Sequence, residues 1–372
     1  MHIRPFQAAY PRLSDLSSVD VFFDQVKEAY GEYVQAGQYD RFRKDALYIY
    51  QIRTNNRYHT ALLACADIRD YLTGHIRKHE HTLQYKEDKQ LELLWKRQAS
   101  VKPITLAYPD VEQVNHFLRE YTRRMEPDLQ VGLHGDQHLV WAIEEEVGIR
   151  KLQRLFAEKI PVAYIADGHH RTAAVARQFS LRGSAGSFDR LLCAFFPSSE
   201  LEIHDFNRVI KDLGEWSTGH FLKRLKAVCH VTPLGQARKP QEKFHMLLYL
   251  NEEWFECCWK AEMLGRYQDQ EVVLDAQLLN TWVLQDILGI EDVRNDPRIS
   301  YVEGPRGLDA LRQKVNKAVD NRLAFGLYPV QLEEMYAIAD SQLELPPKST
   351  WFEPRMKNGL IVLEYPEHLS GQ

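Results

Sequence analysis

The stretch PVAYIADGHHRTAAVARQFS, Pro161–Ser180, joins a strand-like segment to a helical one through five residues, four of them ionisable. Val162–Ala166 is apolar and short enough to be a buried strand, and the alanines after Thr172 favour a helix. Gly168 permits a tight turn with a positive φ angle. The sequence therefore predicts a strand-to-helix turn at Asp167–Arg171.

A turn of this kind favours the binding of an anion. The first backbone N–H groups of a helix have no acceptor within the helix and point away from its N-terminus. Together with the positive end of the helix dipole they form an anion site, to which Arg171 can add a planar fork of donors. We predict that a phosphate is held here by Gly168, His169, His170 and Arg171.

The carboxylate of Asp167 is unexpected at a phosphate site because like charges repel. It is compatible with a phosphate if it holds Mg²⁺, accepts a proton or orients a neighbouring donor. Asp167 is therefore a candidate catalytic residue and a candidate Mg²⁺ ligand. The alternative is purely structural: Asp167 caps the helix, the two histidines make structural hydrogen bonds, and Arg171 pairs with an acid.

Two stretches have helical spacing, Ile68–Thr82 and Gln84–Ala99, with a polar interruption near Glu80–Tyr85, and the segment HIRKHEHTLQYKED, His75–Asp88, spans that interruption. On a helix His75 and His79 would share a face, so that a metal site with His81 is conceivable. The zinc motif H-E-x-x-H is absent because residue 83 is leucine. Solvated surface histidines are the alternative.

Glu80 lies within this polar segment, between histidines and before Lys86, which can tune its proton affinity. It is our candidate general base, against the alternative of an ordinary charged helix end.

Two further motifs add weaker candidates: EIHDFNRVIKD after a buried strand, and the proline-stiffened PPKST, which is similar to the end of a phosphate-loop motif without its glycines. These other candidate site residues are His79, His81, Thr82, Lys86, Asn207, Arg208, Lys348 and Ser349.

Composition narrows the class of protein. The chain has 372 residues, 44% of them hydrophobic and 27% charged, which indicates a globular protein of two domains. The formal net charge of −5 argues against nucleic acid as a partner. Five cysteines in an unpaired pattern, with neither a signal peptide nor a long apolar run, lead us to expect a cytoplasmic protein that does not span a membrane.

Local patterns predict a mixture of hairpins and helices. Residues 46–53 and 58–68 read as paired strands around the turn TNNR, and residues 129–143 and 244–260 read as further hairpins. RLLCAFF, Arg190–Phe196, is apolar enough for a central strand. We expect an α+β fold with domains at residues 1–213 and 214–372.

Four segments in order, IRKHEHTLQYKEDK, YIADGHHRTAAV, HDFNRVIKDL and PPKSTWFEPRMKNGL, resemble the bacterial and archaeal family catalogued as domain of unknown function 1015. The resemblance covers almost the whole chain. It departs near the start, where AAYPRLSDLSSVDVFFDQ replaces the family's usual Pro-Pro-Tyr-Asp segment.

The Asp-Gly-His-His-Arg turn is similar to that of the ParB and sulfiredoxin-like fold, which includes nucleotide-binding proteins and kinases of free serine. The resemblance implies a ParB/sulfiredoxin-like mixed core in residues 1–213 and a second α+β unit. It also implies a phosphotransferase that uses ADP or ATP with Mg²⁺, with Glu80 as the base and a small hydroxylated metabolite, serine among the candidates, as acceptor. A non-catalytic nucleotide-binding regulator is the alternative, and a metal-dependent hydrolase is a third.

Overall fold

A computed structural model describes residues 1–54, 57–182, 188–317 and 322–365, and it is a mixed α/β structure. The strands are Ile3–Arg4 (β1), Ala8–Pro11 (β2), Tyr39–Arg41 (β3), Leu47–Arg53 (β4), Tyr58–Asp67 (β5), Ile76–Arg77 (β6), Ala99–Ser100 (β7), Ile104–Tyr108 (β8), Leu129–Leu133 (β9), Asp136–Ile143 (β10), Ala163–Asp167 (β11), Arg190–Pro197 (β12), Glu202–His204 (β13), Phe206–Ile210 (β14), Cys229–Leu234 (β15), His245–Leu250 (β16), Glu253–Trp259 (β17), Ile299–Glu303 (β18), Leu323–Leu327 (β19), Trp351–Glu353 (β20) and Val362–Glu364 (β21). The helices are Val19–Gln35 (α1), Ile68–Leu72 (α2), Gln84–Arg97 (α3), Glu112–Arg124 (α4), Glu146–Lys159 (α5), His169–Arg182 (α6), Thr218–Val228 (α7), Ala261–Leu264 (α8), Asp275–Leu279 (α9), Gly307–Asn316 (α10) and Leu332–Asp340 (α11).

The chain divides into two compact units, Met1–Glu202 with the tail from Pro354 onward, and Ile203–Glu353. The sequence places the boundary later, after residue 213, and assigns the tail to the second domain. The tail returns because β21 pairs with β2 and β7 of the first unit. The hydroxyl of Tyr30 also donates to Glu364 at 2.9 Å, which fixes β21 on α1.

The first unit is built on a large mixed sheet in the order β6-β11-β8-β12-β5-β4-β10-β9, with β1 on β5. The pairs β6/β11 and β8/β12 are parallel. Both predicted hairpins are confirmed as β4/β5 and β9/β10, although Asn55 and Asn56 of the first turn lie outside the described residues. The predicted central strand is β12, which lies between β8 and β5 and is almost entirely buried.

The prediction of a helix over Ile68–Thr82 is wrong beyond its first turn. α2 ends at Leu72, Gly74 follows with φ +82°, and Ile76–Arg77 then forms strand β6. A residue in this left-handed conformation ends a helix, and glycine adopts it most easily because it has no β-carbon. His75 and His79 therefore do not share a helical face.

The second unit contains an antiparallel six-stranded sheet in the order β15-β17-β16-β19-β14-β18. One face is covered by α7 and α9, whose Phe221 and Leu278 are fully buried in the larger apolar cluster of this unit. The other face packs on α10 through Leu311 and Val315. The predicted hairpin of this unit is confirmed as β16/β17.

Within the residues that the structure describes, no helix combines the length and the apolar character that crossing a membrane requires. The five cysteines are present as free thiols, four of them buried.

Candidate functional site

The predicted strand-to-helix turn is present in the first unit. β11 ends at Asp167, Gly168 has φ +117°, and α6 begins at His169. The first hydrogen bond of the helix runs from the backbone N–H of Thr172 to the carbonyl of Gly168 at 2.9 Å. The N–H groups of His169, His170 and Arg171 precede that bond and have no acceptor within the helix.

Asp167 is the centre of a charge cluster. Its Oδ2 accepts hydrogen bonds from Lys102 Nζ and from Arg171, both at 2.8 Å. A guanidinium nitrogen of Arg355 lies 3.7 Å from Oδ1. Burial opposes ionisation of this carboxyl, but the charges of Arg171 and Lys102 outweigh burial and hold the pKa of Asp167 well below its usual value. Asp167 is therefore ionised at neutral pH.

This geometry distinguishes among the three uses of the Asp167 carboxylate that the sequence leaves open. A carboxyl with so low a pKa is a poor proton acceptor near pH 7. Oδ2, which already accepts from two cations, is also a poor ligand for Mg²⁺, which would have to displace them. The arrangement suits the third use, in which the carboxylate orients Lys102 and Arg171.

The side chain of Arg171 points inward. Besides Asp167 it donates to the carbonyls of Lys102 at 2.7 Å and of Pro103 at 3.0 Å, just before β8 begins. A β-carbon built on Gly168 would lie 2.9 Å from a guanidinium nitrogen of Arg171. Glycine is thus required at this turn by the positive φ angle and by the guanidinium that packs over it. Arg171 does pair with an acid, as the structural alternative expects.

The structure brings Glu80 and His79 to the same turn. Oε2 of Glu80 lies 3.5 Å from Nδ1 of His169, and the rings of His79 and His169 meet edge to face at 4.5 Å. Burial lowers the pKa of His79 to about 3 and that of His169 well below its usual value, so both are neutral at pH 7. The Glu80 side chain remains 47% exposed, which leaves its carboxylate within reach of a substrate.

Nε2 of His169 is buried and has no hydrogen-bond partner among the described residues. His170 follows at the second position of α6 and is half-buried.

The other candidates of the polar segment lie further along it. The hydroxyl of Thr82 donates to Glu87 at 2.6 Å. His81 and Lys86 are exposed, and the ammonium of Lys86 lies 5.9 Å from the ring centroid of Tyr85.

The remaining candidates belong to the second unit. Asn207 is fully buried and accepts from the backbone N–H of Leu327 at 3.2 Å. Arg208 is buried, donates to the carbonyl of Phe206 and lies 5.8 Å from the ring centroid of Tyr301. The structure does not test a ligand-binding role for either residue.

Lys348 and Ser349 lie on the loop before β20 of the second unit. The ammonium of Lys348 lies 5.1 Å from the ring centroid of Phe206, and the Ser349 hydroxyl donates to the carbonyl of Pro346 at 2.6 Å. Their proposed contact with a ligand also remains a prediction.

Sequence reasoning missed three basic residues around the turn, Arg97, Lys102 and Arg355. Burial lowers the pKa of Arg97 to about 10, and the positive charge of Arg171 acts in the same direction. Lys102 precedes a proline at the start of an apolar strand, and that lysine is the signal that could have drawn attention to VKPITLAYP. Lys102, Arg171 and Arg355 all lie within 4 Å of the one carboxylate of Asp167, and three cations around one carboxylate suit an anion.

No group of three or more His, Cys, Asp or Glu side chains that could hold a metal ion occurs within residues 1–54, 57–182, 188–317 and 322–365. This finding gives no support to the metal-dependent hydrolase.

The family model described as Protein of unknown function (DUF1015) matches residues 9–278, and the chain belongs to this family. No curated protein matches the sequence. Solved structures similar in fold include a free serine kinase in complex with AMP, at 13% identity and TM-score 0.40, with 80% of this chain and 91% of that chain covered. A conserved hypothetical protein from Pyrococcus furiosus matches at 14% identity and TM-score 0.38, covering 80% and 95%. SbnI with a C-terminal truncation, from Staphylococcus aureus, matches at 10% identity and TM-score 0.40, covering 80% and 85%.

Proposed function

We propose that this chain is a nucleotide-dependent phosphotransferase, which transfers the terminal phosphoryl group of ADP or ATP to the hydroxyl group of a small metabolite. The observation that carries this function is the 3.5 Å distance between Glu80 and His169. His169 is the first residue of α6, so a carboxylate able to accept a proton lies next to the N-terminus that suits a phosphate. Free serine is the first acceptor to test, since the resemblance noted for the sequence implies it.

In the proposed reaction the acceptor hydroxyl attacks the terminal phosphorus, the O–P bond to the nucleotide breaks, and the nucleotide leaves with one phosphate fewer. Glu80 takes the hydroxyl proton and releases it to solvent. The first N–H groups of α6 and the basic cluster hold the charge of the phosphates. Phosphoryl transfer depends mainly on such positioning and charge neutralisation.

In this proposal Gly168, His169 and His170 contact the phosphates, Asp167 positions the basic side chains, and the turn is of the ParB/sulfiredoxin-like kind. Mg²⁺ is left out of the protein's own ligands because Asp167 is already shared by two cations. The partners are a nucleotide and a small molecule, and an enzyme of this type draws both from the cytoplasm.

The test is to incubate the purified chain with serine and either ADP or ATP, with and without MgCl₂, and to detect phosphoserine by mass spectrometry. Glu80→Gln removes the proposed base and keeps the shape, so turnover should fall about 10²- to 10⁴-fold while nucleotide affinity changes little. Glu92→Gln, an exposed glutamate of α3, is the matched control and should behave as the wild type. Equal rates for Glu80→Gln and Glu92→Gln would contradict the role of Glu80.

A non-catalytic nucleotide-binding protein is the second candidate. In its favour, Oδ2 of Asp167 is paired with Lys102 and Arg171, so the turn itself is better equipped to hold an anion than to activate a hydroxyl. Calorimetry that shows nucleotide binding, together with no phosphorylation of serine or of a metabolite pool, would favour this candidate.

A further inference from the structure

Arg171 is tied into the turn by three hydrogen bonds. One terminal nitrogen of its guanidinium donates to two backbone carbonyls, and the other donates to Asp167. The group also packs over Gly168, and burial lowers the pKa of Arg171. A guanidinium held in this way fixes the turn against the segment before β8.

Lys102 is held by fewer hydrogen bonds than Arg171. Its ammonium has three protons, and Asp167 is the one hydrogen-bond acceptor that the described residues provide for it. The side chain is 21% exposed, as is that of Arg171, so a ligand can reach it. Its carbonyl accepts from Arg171 and the next residue is Pro103, whose ring restricts the backbone. The turn therefore positions both the ammonium group and the backbone carbonyl of Lys102.

The charge environment adds to this geometry. Burial lowers the pKa of Lys102 to about 8, and the charge of Arg171 contributes in the same direction, against the opposing effect of Asp167. A cation that has lost part of its hydration beside other cations gains much from an anionic ligand. Arg355 faces the same carboxylate from the tail of the first unit and adds to the surplus of positive charge.

We infer that Lys102 contacts the terminal phosphate of the nucleotide, sharing its ammonium between Asp167 and the ligand, while Arg171 is a positioning residue. This assignment rests on the proposed function in that it takes a nucleoside polyphosphate as the ligand. It differs from the sequence-based expectation, in which Arg171 itself holds the phosphate.

The experiment is calorimetric titration of the full chain with ADP, and with pyrophosphate as a probe without a base. Lys102→Met should weaken binding about 10- to 100-fold, since a hydrogen bond between charged groups is lost. Lys96→Met, at an exposed lysine of α3, is the matched control and should bind as the wild type. Lys102→Arg keeps the charge and should restore most of the affinity.

Lys102→Met should remain folded, because Asp167 keeps its bond to Arg171, and circular dichroism will check this. If that variant does not fold, the wild type still decides the question. At pH 8.5, titration of the wild type with ADP in buffers of different ionisation enthalpy should show proton uptake on binding. The anionic ligand favours the charged form of Lys102, which therefore takes up a proton.

Equal affinities of Lys102→Met and Lys96→Met, or binding without proton uptake, would overturn the assignment of Lys102. Nucleotide binding without phosphoryl transfer would overturn the proposed function and leave Lys102 as an anion contact. A wild type that binds neither ADP nor pyrophosphate would overturn both.

Discussion

Replacing Asp167 by asparagine removes the negative charge that Lys102, Arg171 and Arg355 share. Loss of one partner of a buried ion pair costs about 3–5 kcal/mol, whereas an exposed pair contributes about 0–1 kcal/mol. The Asp167 side chain is 35% exposed, and asparagine can still accept one of the two hydrogen bonds. We therefore expect a loss of about 2 kcal/mol in the free energy of unfolding of the first unit.

For a unit of this size about 2 kcal/mol corresponds to a fall of roughly 4–8 °C in the unfolding midpoint. The measurement is thermal unfolding followed by circular dichroism at pH 7, with Asp40→Asn as control. Asp40 also pairs with an arginine, Arg12, but both side chains are well exposed, so its midpoint should barely move.

The pH dependence of this effect has a definite sign. The folded-state pKa of Asp167 is lowered, so its contribution is present above the ordinary carboxyl pKa of about 3.9 and is lost as the pH falls toward the folded-state value. The difference between the wild type and Asp167→Asn should accordingly shrink when the pH is lowered from 5 toward 2. Coincident midpoints at pH 7 would refute the account of Asp167 as the centre of the cluster.

Two further variants test other positions. Gly168→Ala should lower the unfolding midpoint and weaken ADP binding, because the β-carbon meets the Arg171 guanidinium at a positive φ angle, whereas Gly31→Ala, in an open position of α1, should be neutral or stabilising. Equal midpoints for the two alanine variants would contradict this. Burial raises the pKa of Asp275 in the second unit to about 7, so the stability that its protonated form contributes is lost as the pH rises through 7. Asp275→Asn should therefore raise the midpoint more at pH 8 than at pH 5, and an equal shift at both pH values would argue against burial as the cause.

The hairpins could be predicted because their signals are local. In β4/β5 and β16/β17, apolar runs flank short polar turns, and each strand finds its partner next in the chain. The order of the large sheet has no such signal, since β8 lies between β11 and β12, which follow it by more than fifty residues. The helix expected over Ile68–Thr82 failed at Gly74, whose backbone conformation overrides the apolar spacing.

The candidate site likewise has one part with a local sequence signal and another part without one. The turn from Asp167 to Arg171 is contiguous, so its strand, glycine and helix could be predicted from residue types alone. Lys102 reaches Asp167 only because β8 pairs with β11, with Thr105 opposite Asp167. Arg355 arrives with the tail that returns to the first unit. No pattern within one segment could indicate that either residue lies beside Asp167, and for this reason the sequence-based prediction assigns Arg171 a role that we infer for Lys102.

The cluster also offers a reason for a carboxylate at the proposed anion site. Three cations beside a helix N-terminus repel one another, and Asp167 holds them in place before a ligand arrives, at the expense of competing with that ligand for Lys102. Asp167→Asn should therefore have opposite effects on two properties. The fold should lose stability, yet inorganic pyrophosphate should bind more tightly than to the wild type, provided that the titration is done at a temperature where both are folded. If Asp167 had only a structural role, Asp167→Asn would lower both the stability of the fold and the affinity for pyrophosphate. A loss of pyrophosphate affinity in this variant would therefore exclude competition between Asp167 and the ligand for Lys102.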